Sequence, residues 1–141
     1  MKGEYWYSKI PPQILVEERL HGVSFDIPRD YKFYVFHGHV EYVHVDIDRY
    51  GEHKRNFYDR DWDMKTFELE YPLGPMISQP RTLDHMINVA ETLGAKFDFI
   101  RIDLYDIRNR GVVFGEMTIA PGSGCERFKP ESYDHLFGSY W

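Results

Sequence analysis

Two stretches decide the fold: Ile100-Arg101-Ile102-Asp103-Leu104, and Val112-Val113-Phe114-Gly115-Glu116-Met117-Thr118. Side chains alternate between faces along a strand. Ile100, Ile102 and Leu104 therefore share one face, and Arg101 and Asp103 the other. On the second stretch Glu116 and Thr118 lie on the face of Phe114. Setting Asp103 opposite Glu116 places Arg101 near Thr118, Leu104 opposite Gly115 and Ile107 opposite Val112. The connection is then the four-residue loop Arg108-Asn109-Arg110-Gly111, a common hairpin length.

Directly opposed residues hold their Cβ atoms about 4.5–5.5 Å apart, and two carboxylates that close repel unless something compensates. One compensator is Mg²⁺, a hard cation that takes oxygen ligands, often one or two carboxylates plus phosphate oxygens. Asp103, Glu116 and Thr118 are its candidate ligands. The other is Arg101, which would neutralise both carboxylates as a structural ion pair. The glycine-rich Pro121-Gly122-Ser123-Gly124 that follows offers backbone donors to an anion.

Outward from this hairpin, Gln13–Glu18 reads as a buried strand entered through Pro11-Pro12, and Leu20–Asp30 as a loop. Tyr31–Phe36 and Val40–Ile47 read as strands joined by a tight turn at His37-Gly38-His39. Asp48–Pro80 reads as a long ordered excursion, too rich in bulky residues such as Phe57, Tyr58 and Trp62 for a tether. Thr82–Leu93 carries a helix signature: Thr82 as N-cap, Leu83, Met86, Ile87, Ala90 and Leu93 on one face, and Gly94 as a C′ residue. A short helix is expected around Glu131–Phe137. The order predicts an α+β domain, a largely antiparallel sheet with flanking helices, both placed on one side.

Bulk properties narrow the function. The chain has 141 residues, 43% hydrophobic and 17% aromatic, enough for one domain with a substantial core. Its net charge of -6 opposes non-specific binding to nucleic acid or to anionic membranes. The single cysteine, Cys125, excludes an intrachain disulfide and a cysteine-rich zinc site, and fits a reducing compartment. No apolar leader core and no membrane-span-length apolar run is present, so a cytoplasmic location is expected.

Taken together, ILVEERL (14–20), DYKFYVFHG (30–38), the DxDR stretch Asp46–Arg49, NFYDRDW (56–62), the Pro80–Leu93 helix and FIRIDLY…FGEMTIAPGSG (99–124) resemble the ATP-grasp superfamily. More narrowly they are similar to its TupA-like members, named for teichuronopeptide biosynthesis. The superfamily's closing motif is an Asp on one strand, Glu-x-Asn on the next, then a Pro-Gly turn.

The resemblance implies the C-terminal lobe of an ATP-grasp fold, with ATP and Mg²⁺ as cofactors. Glu17, Glu18, Arg19 and Leu20 would form the hinge beneath adenine, and Asp30 would lie near the ribose. Lys32 and Arg49 would lie near phosphates or substrate. Asp103 and Glu116 would hold the metal, and Arg101 would face the acyl phosphate or the developing oxyanion. The implied reaction is ligation of a carboxylate to an amine, on a small molecule or a glycan, in cell-surface polysaccharide biosynthesis. Thr118 stands where many members have Asn, which keeps an oxygen ligand. No glycine-rich phosphate loop precedes Pro11. Residues 1–141 are therefore expected to form a single C-terminal lobe with the N-terminal lobe absent: either an excised or naturally shortened lobe, or one whose remainder comes from a second chain, a homodimer or a separate N-terminal-lobe partner.

Other readings remain open beside this one. A non-catalytic carbohydrate- or protein-binding module would expose Tyr58 and Trp62, and a degenerate scaffold subunit would keep the lobe without its chemistry. His37-Gly38-His39 could bind zinc, or could simply be a hairpin tip. Cys125 could be a nucleophile or an inert thiol.

Overall fold

The computed structural model describes residues 8–21 and 27–141. Its centre is a five-stranded antiparallel sheet in the order β3-β2-β1-β5-β6. The strands are β1 (Asp30–Phe36), β2 (His39–Ile47), β3 (Lys54–Tyr58), β5 (Phe99–Ile107) and β6 (Gly111–Thr118). Strands β4 (Glu68–Leu69) and β7 (Phe128–Lys129) pair as a separate short ribbon. The helices are α1 (Leu83–Gly94) and α2 (Ser132–Gly138). The predicted α+β class and antiparallel sheet are present. Among the described residues no helix is long and apolar enough to cross a membrane.

Strand alternation builds two cores, one per face. Tyr31, Phe33 and Val35 of β1 join Val43, Val45, Ile100 and Ile102 beneath Leu83, Met86, Ile87 and Ala90 of α1. Tyr34 and Phe36 join Tyr42, Phe57 and Phe99 on the opposite face, against Phe137 of α2 and Phe67 and Leu69. The helices therefore flank both faces, not one as expected. The aromatic supply explains this: Phe137 stacks on Tyr42 with centroids 4.6 Å apart, closing the second face.

The two hairpins are set by local chemistry. His37 and Gly38 both take positive φ, 48° and 79°, as a two-residue turn matched to strand twist requires. In the β5–β6 hairpin Asp103 does pair with Glu116 and Arg101 with Thr118. A bulge at Gly115 then shifts the register, so Leu104 faces Phe114 and Ile107 faces Gly111. The predicted Leu104–Gly115 and Ile107–Val112 pairs do not form. The loop is Arg108-Asn109-Arg110, with Asn109 at φ 65°.

Three further expectations change. Gln13–Glu18 is not a strand: Ile14 and Val16 are 94% and 90% exposed, and the segment pairs with no strand among the described residues. Its apolar, β-branched composition supplies propensity, which forms no strand without a neighbour. Of the predicted loop 20–30, residues 22–26 lie outside the described residues. The 48–80 excursion contains β3, an edge strand of the main sheet. Its polar start hid it, because Arg55 and Asn56 are both buried. Asn56 donates from Nδ2 to the Tyr58 hydroxyl and to Pro75 O, and accepts from the Gly74 amide at 2.8 Å. One buried amide thus fastens the proline-rich return to the sheet.

Helix α1 stands as read, with two amendments. The Thr82 side chain makes no capping bond, and Gly94 is the last helical residue. A Cβ at Gly94 would lie 2.6 Å from Val35 Cγ1, so close packing on β1, and not a left-handed cap, demands glycine there.

Candidate functional site

The second face of the sheet is aromatic at one end and charged at the other. Two residues along from Tyr34, Tyr42, Phe57 and Phe99 stand Lys32, His44, Arg55 and Arg101, still on that face. Two more along β2 and β5 stand Asp46 and Asp103. The register lines these charges up across five strands: Asp46 opposes Arg55, Lys32 opposes both His44 and Asp103, and Asp103 opposes Glu116. The row floors a polar cavity of about 400 Å³. A neighbouring cavity of about 870 Å³ shares Glu17, Leu20, Asp30, Asp46, Arg49 and Tyr105 with it.

At the β6 end Arg101 binds three groups. It donates from Nε and Nη2 to the two Asp103 oxygens at 2.7 and 2.9 Å, to Glu116 Oε1 at 2.8 Å and to Thr118 Oγ1 at 3.1 Å. Thr118 in turn donates to Glu116 Oε1 at 2.7 Å. Asp103 is 2% exposed and also accepts from Lys32 Nζ at 2.8 Å. Lys32 is bonded to Asp30 as well, which Arg49 approaches at 3.5 Å.

Charge balance follows from these contacts. The Thr118 hydroxyl and then Arg101 hold the Glu116 carboxyl below the usual range. Burial opposes the Arg101 charge, but its bonds to Asp103 outweigh burial and raise its pKa. Burial pushes the Asp30 carboxyl up despite Lys32. Asp30 Oδ1 is buried with no hydrogen-bond partner among the described residues. At this end the ion-pair network foreseen for Arg101 and the opposed carboxylates coexist in one arrangement.

The β3 end was not foreseen as part of the site. Asp46 Oδ1 accepts from His44 Nε2 at 2.8 Å and Arg55 Nε at 3.0 Å, with His53 Nε2 at 3.0 Å. Burial would raise the Asp46 carboxyl, but the His44 bond and the Arg55 charge hold it well below the usual range. Burial drives His44 down to about 3, so the ring is neutral. With Nε2 donating to Asp46, its Nδ1 is a buried acceptor without a partner among the described residues. Arg55 also donates to Leu69 O and, at 2.8 Å, to Glu126 Oε1. Glu126 is delivered by the Pro121–Gly124 turn. Its side chain lies over Gly122, where a Cβ would come within 2.4 Å of Glu126 Cγ.

Of the residues singled out in sequence, Glu17, Glu18, Arg19, Leu20, Asp30, Lys32, Arg49, Arg101, Asp103 and Glu116 all line one or both cavities. Thr118 reaches the site only through Arg101 and Glu116. Glu18 is also tied to the β5–β6 loop through Arg110 at 2.9 Å. His44, Arg55, Tyr105 and Glu126 were missed. The alternation of Tyr42, His44 and Asp46 was the available signal for His44.

The aromatic candidates for a binding surface are buried. Tyr58 is fully buried and stacks on Trp62 at 4.3 Å, while Trp62 donates to Ile77 O, so neither offers a sugar platform. His37 is a turn residue, and His39 pairs with Glu41 at 3.1 Å. Cys125 is exposed, with Sγ 3.5 Å from Ser123 O.

The donors at the β6 end, two opposed carboxylates with Asp30 beside them, are all oxygen and suit Mg²⁺. Among the described residues no group of three or more His, Cys, Asp or Glu side chains is placed to hold a metal ion by itself. The whole chain, residues 1–141, matches the family model described as TupA-like ATPgrasp. No curated protein and no solved structure matches it.

Proposed function

The chain belongs to the TupA-like ATP-grasp family, and from that premise we propose that its paired cavities bind Mg-ATP for ligation of a carboxylate to an amine. The observation that carries this reading is the in-register pair Asp103–Glu116, bridged by Arg101 at the head of a polar cavity. Asp103, Glu116 and, through its hydroxyl, Thr118 are the proposed metal-side residues. When bound, Mg²⁺ supplies positive charge that offsets the charge growing on a transferring phosphoryl group. Arg101 keeps both carboxylates oriented and adds its own charge beside them. Lys32 is buried on the floor and Arg49 is at the rim, so one fixed and one adaptable cation can meet phosphate oxygens.

The larger cavity suits a nucleoside. Leu20, Ile27, Pro28, Ile47 and Tyr50 give apolar surface for a purine, and Asp30 stands at the junction of the two cavities, where a ribose hydroxyl would need an acceptor. Glu17, Glu18 and Arg19 form the wall beside the base. The reactants would be a carboxylate and an amine carried by small molecules or glycans, in cell-surface polysaccharide biosynthesis. Residues 1–141 would act as one ATP-grasp lobe.

Calorimetric titration with Mg²⁺ and a non-hydrolysable ATP analogue tests the proposal, with Glu116→Ala run in parallel. Binding should require both metal and Glu116. Added Mg²⁺ and analogue at tenfold over Kd should raise wild-type stability by about 1.4 kcal/mol, and the variant should lose that rise. Equal stabilisation of both proteins would refute the metal assignment.

A further inference from the structure

The β3 end of the polar cavity is built as carefully as the metal-side end, yet the nucleotide reading leaves it without a ligand. The charges there are Arg55 against Asp46 and Glu126, with His44 held neutral by burial. One negative charge is in surplus among these four groups. Arg55 is spent on Asp46, Leu69 O and Glu126, so its guanidinium fastens the end together and sits between the two carboxylates. The acceptor side is underused: His44, only 1% exposed, lines the cavity with Nδ1 unpartnered. An anion would face carboxylates here. A bare metal ion would compete with Arg55 for the space between them. A cation that donates several hydrogen bonds meets neither obstacle.

We propose that this end of the cavity is the subsite for the protonated primary amine of the acceptor substrate, with Glu126 as its charge partner and His44 as a second acceptor. The assignment rests on the ligase reading, and it adds which substrate group lies at the β3 end. An ammonium carries three donors. A Glu126 carboxylate and a neutral imidazole can take two of them, leaving the third for the interior of the cavity. The backbone explains how Glu126 comes to be there. The chain leaves β6 at Thr118, turns through the positive φ values of Gly122, Ser123 and Gly124, and so brings residue 126 back over the same sheet face as Glu116. One connecting turn therefore sets the spacing between the metal-side carboxylate and the amine-side carboxylate. Lys32 stands on the floor between them, opposite both His44 and Asp103, with its charge taken up by Asp30 and Asp103.

The test uses the full chain and n-propylammonium as probe. Proton–carbon NMR follows the His44 ring and the Glu126 Cγ, and calorimetry with the Mg-ATP analogue is run on the same samples. The probe should shift both signals saturably. Glu126→Gln should weaken its binding about tenfold or more, as expected for loss of a charge-assisted hydrogen bond. Glu126→Asp keeps the charge and should stay within a few-fold of wild type. Isosteric propanol should leave both signals unmoved. Non-saturating shifts, equal affinity in Glu126→Gln, or displacement of the probe by Mg²⁺ alone would each overturn the subsite. Nucleotide binding without amine binding would refute this inference and leave the ligase reading intact. Amine binding without nucleotide binding would keep a cation subsite at the β3 end but overturn both the ligase reading and the assignment of its occupant as the acceptor.

Discussion

Replacing Lys32 by Met should cost more stability than any other single charge removal in the cavity floor. Its side chain is 6% exposed and lies between Asp30 and Asp103, 2.8 Å from the latter. Methionine fills a similar volume, so the loss is electrostatic. Asp103 would keep its two bonds from Arg101, but among the described residues Asp30 would retain only the more distant and exposed Arg49 at 3.5 Å as a cationic partner. Breaking a buried ion pair by removing one partner costs about 3–5 kcal/mol. For a chain of this size that corresponds to a melting midpoint lower by roughly 10–20 °C. The deficit has a definite pH sign. The folded-state pKa of Asp30 is already above its ordinary value, and the variant would raise it further by deleting the cation that lowers it. The native state then binds more protons than the unfolded chain, so stability falls as pH rises through that window. Urea denaturation of wild type and Lys32→Met at pH 7.5 and pH 5 checks this, with Asp30→Asn/Lys32→Met as a third protein. The deficit should be largest at pH 7.5, shrink at pH 5, and be partly recovered in the double variant. A loss below about 1 kcal/mol, or one equal at both pH values, would refute the electrostatic account.

Further outcomes follow from packing and burial. Gly94→Ala should destabilise the fold by about 1–3 kcal/mol, because the overlap with Val35 outweighs the roughly 1 kcal/mol gain in helix propensity. Denaturant midpoints measure it, and a stabilised variant would show that α1 does not rest on β1 as described. Trp62→Ala should cost about 3–5 kcal/mol, with a lost stack on Tyr58 and an unpartnered Ile77 carbonyl. A soluble, equally stable variant with altered sugar binding would return Trp62 to the surface reading. His44, depressed to about 3 by burial, makes the unfolded chain bind more protons between about pH 6.5 and 3. Stability should therefore fall as pH drops through that window, with Asp46 adding to the loss only below its ordinary range. His44→Gln should flatten the upper part of the profile, as read by melting midpoints in a buffer series; an unchanged slope would place the titration elsewhere.

Much of the site was legible because strand alternation and hairpin register are local. The pairs Asp103–Glu116 and Arg101–Thr118 form as the register set on the opposed carboxylates expected, although the turn between them is one residue shorter. The Gly115 bulge did not follow, since an extra residue in one strand leaves no trace in a two-residue period. Arg55 and Asn56 disguised β3 for a related reason. A polar residue buried for a partner's sake looks, in sequence, like one facing water. The same is true of Gly94, whose position suggested a cap and whose cause is the distance to Val35.

By itself, then, the sequence determined the class of fold, four of the five strands of the sheet, the long helix and the family motifs, all of which depend on neighbours a few residues apart. Tertiary structure alone decided the rest. It set the second helix on the opposite face, buried Trp62, left Ile14–Val16 exposed, and carried Glu126 to Arg55 across 71 residues of sequence. Burial and long-range pairing are properties of where the chain returns to. Electrostatic strength depends on that burial, so the β3 half of the cavity became visible only when the five strands were laid side by side.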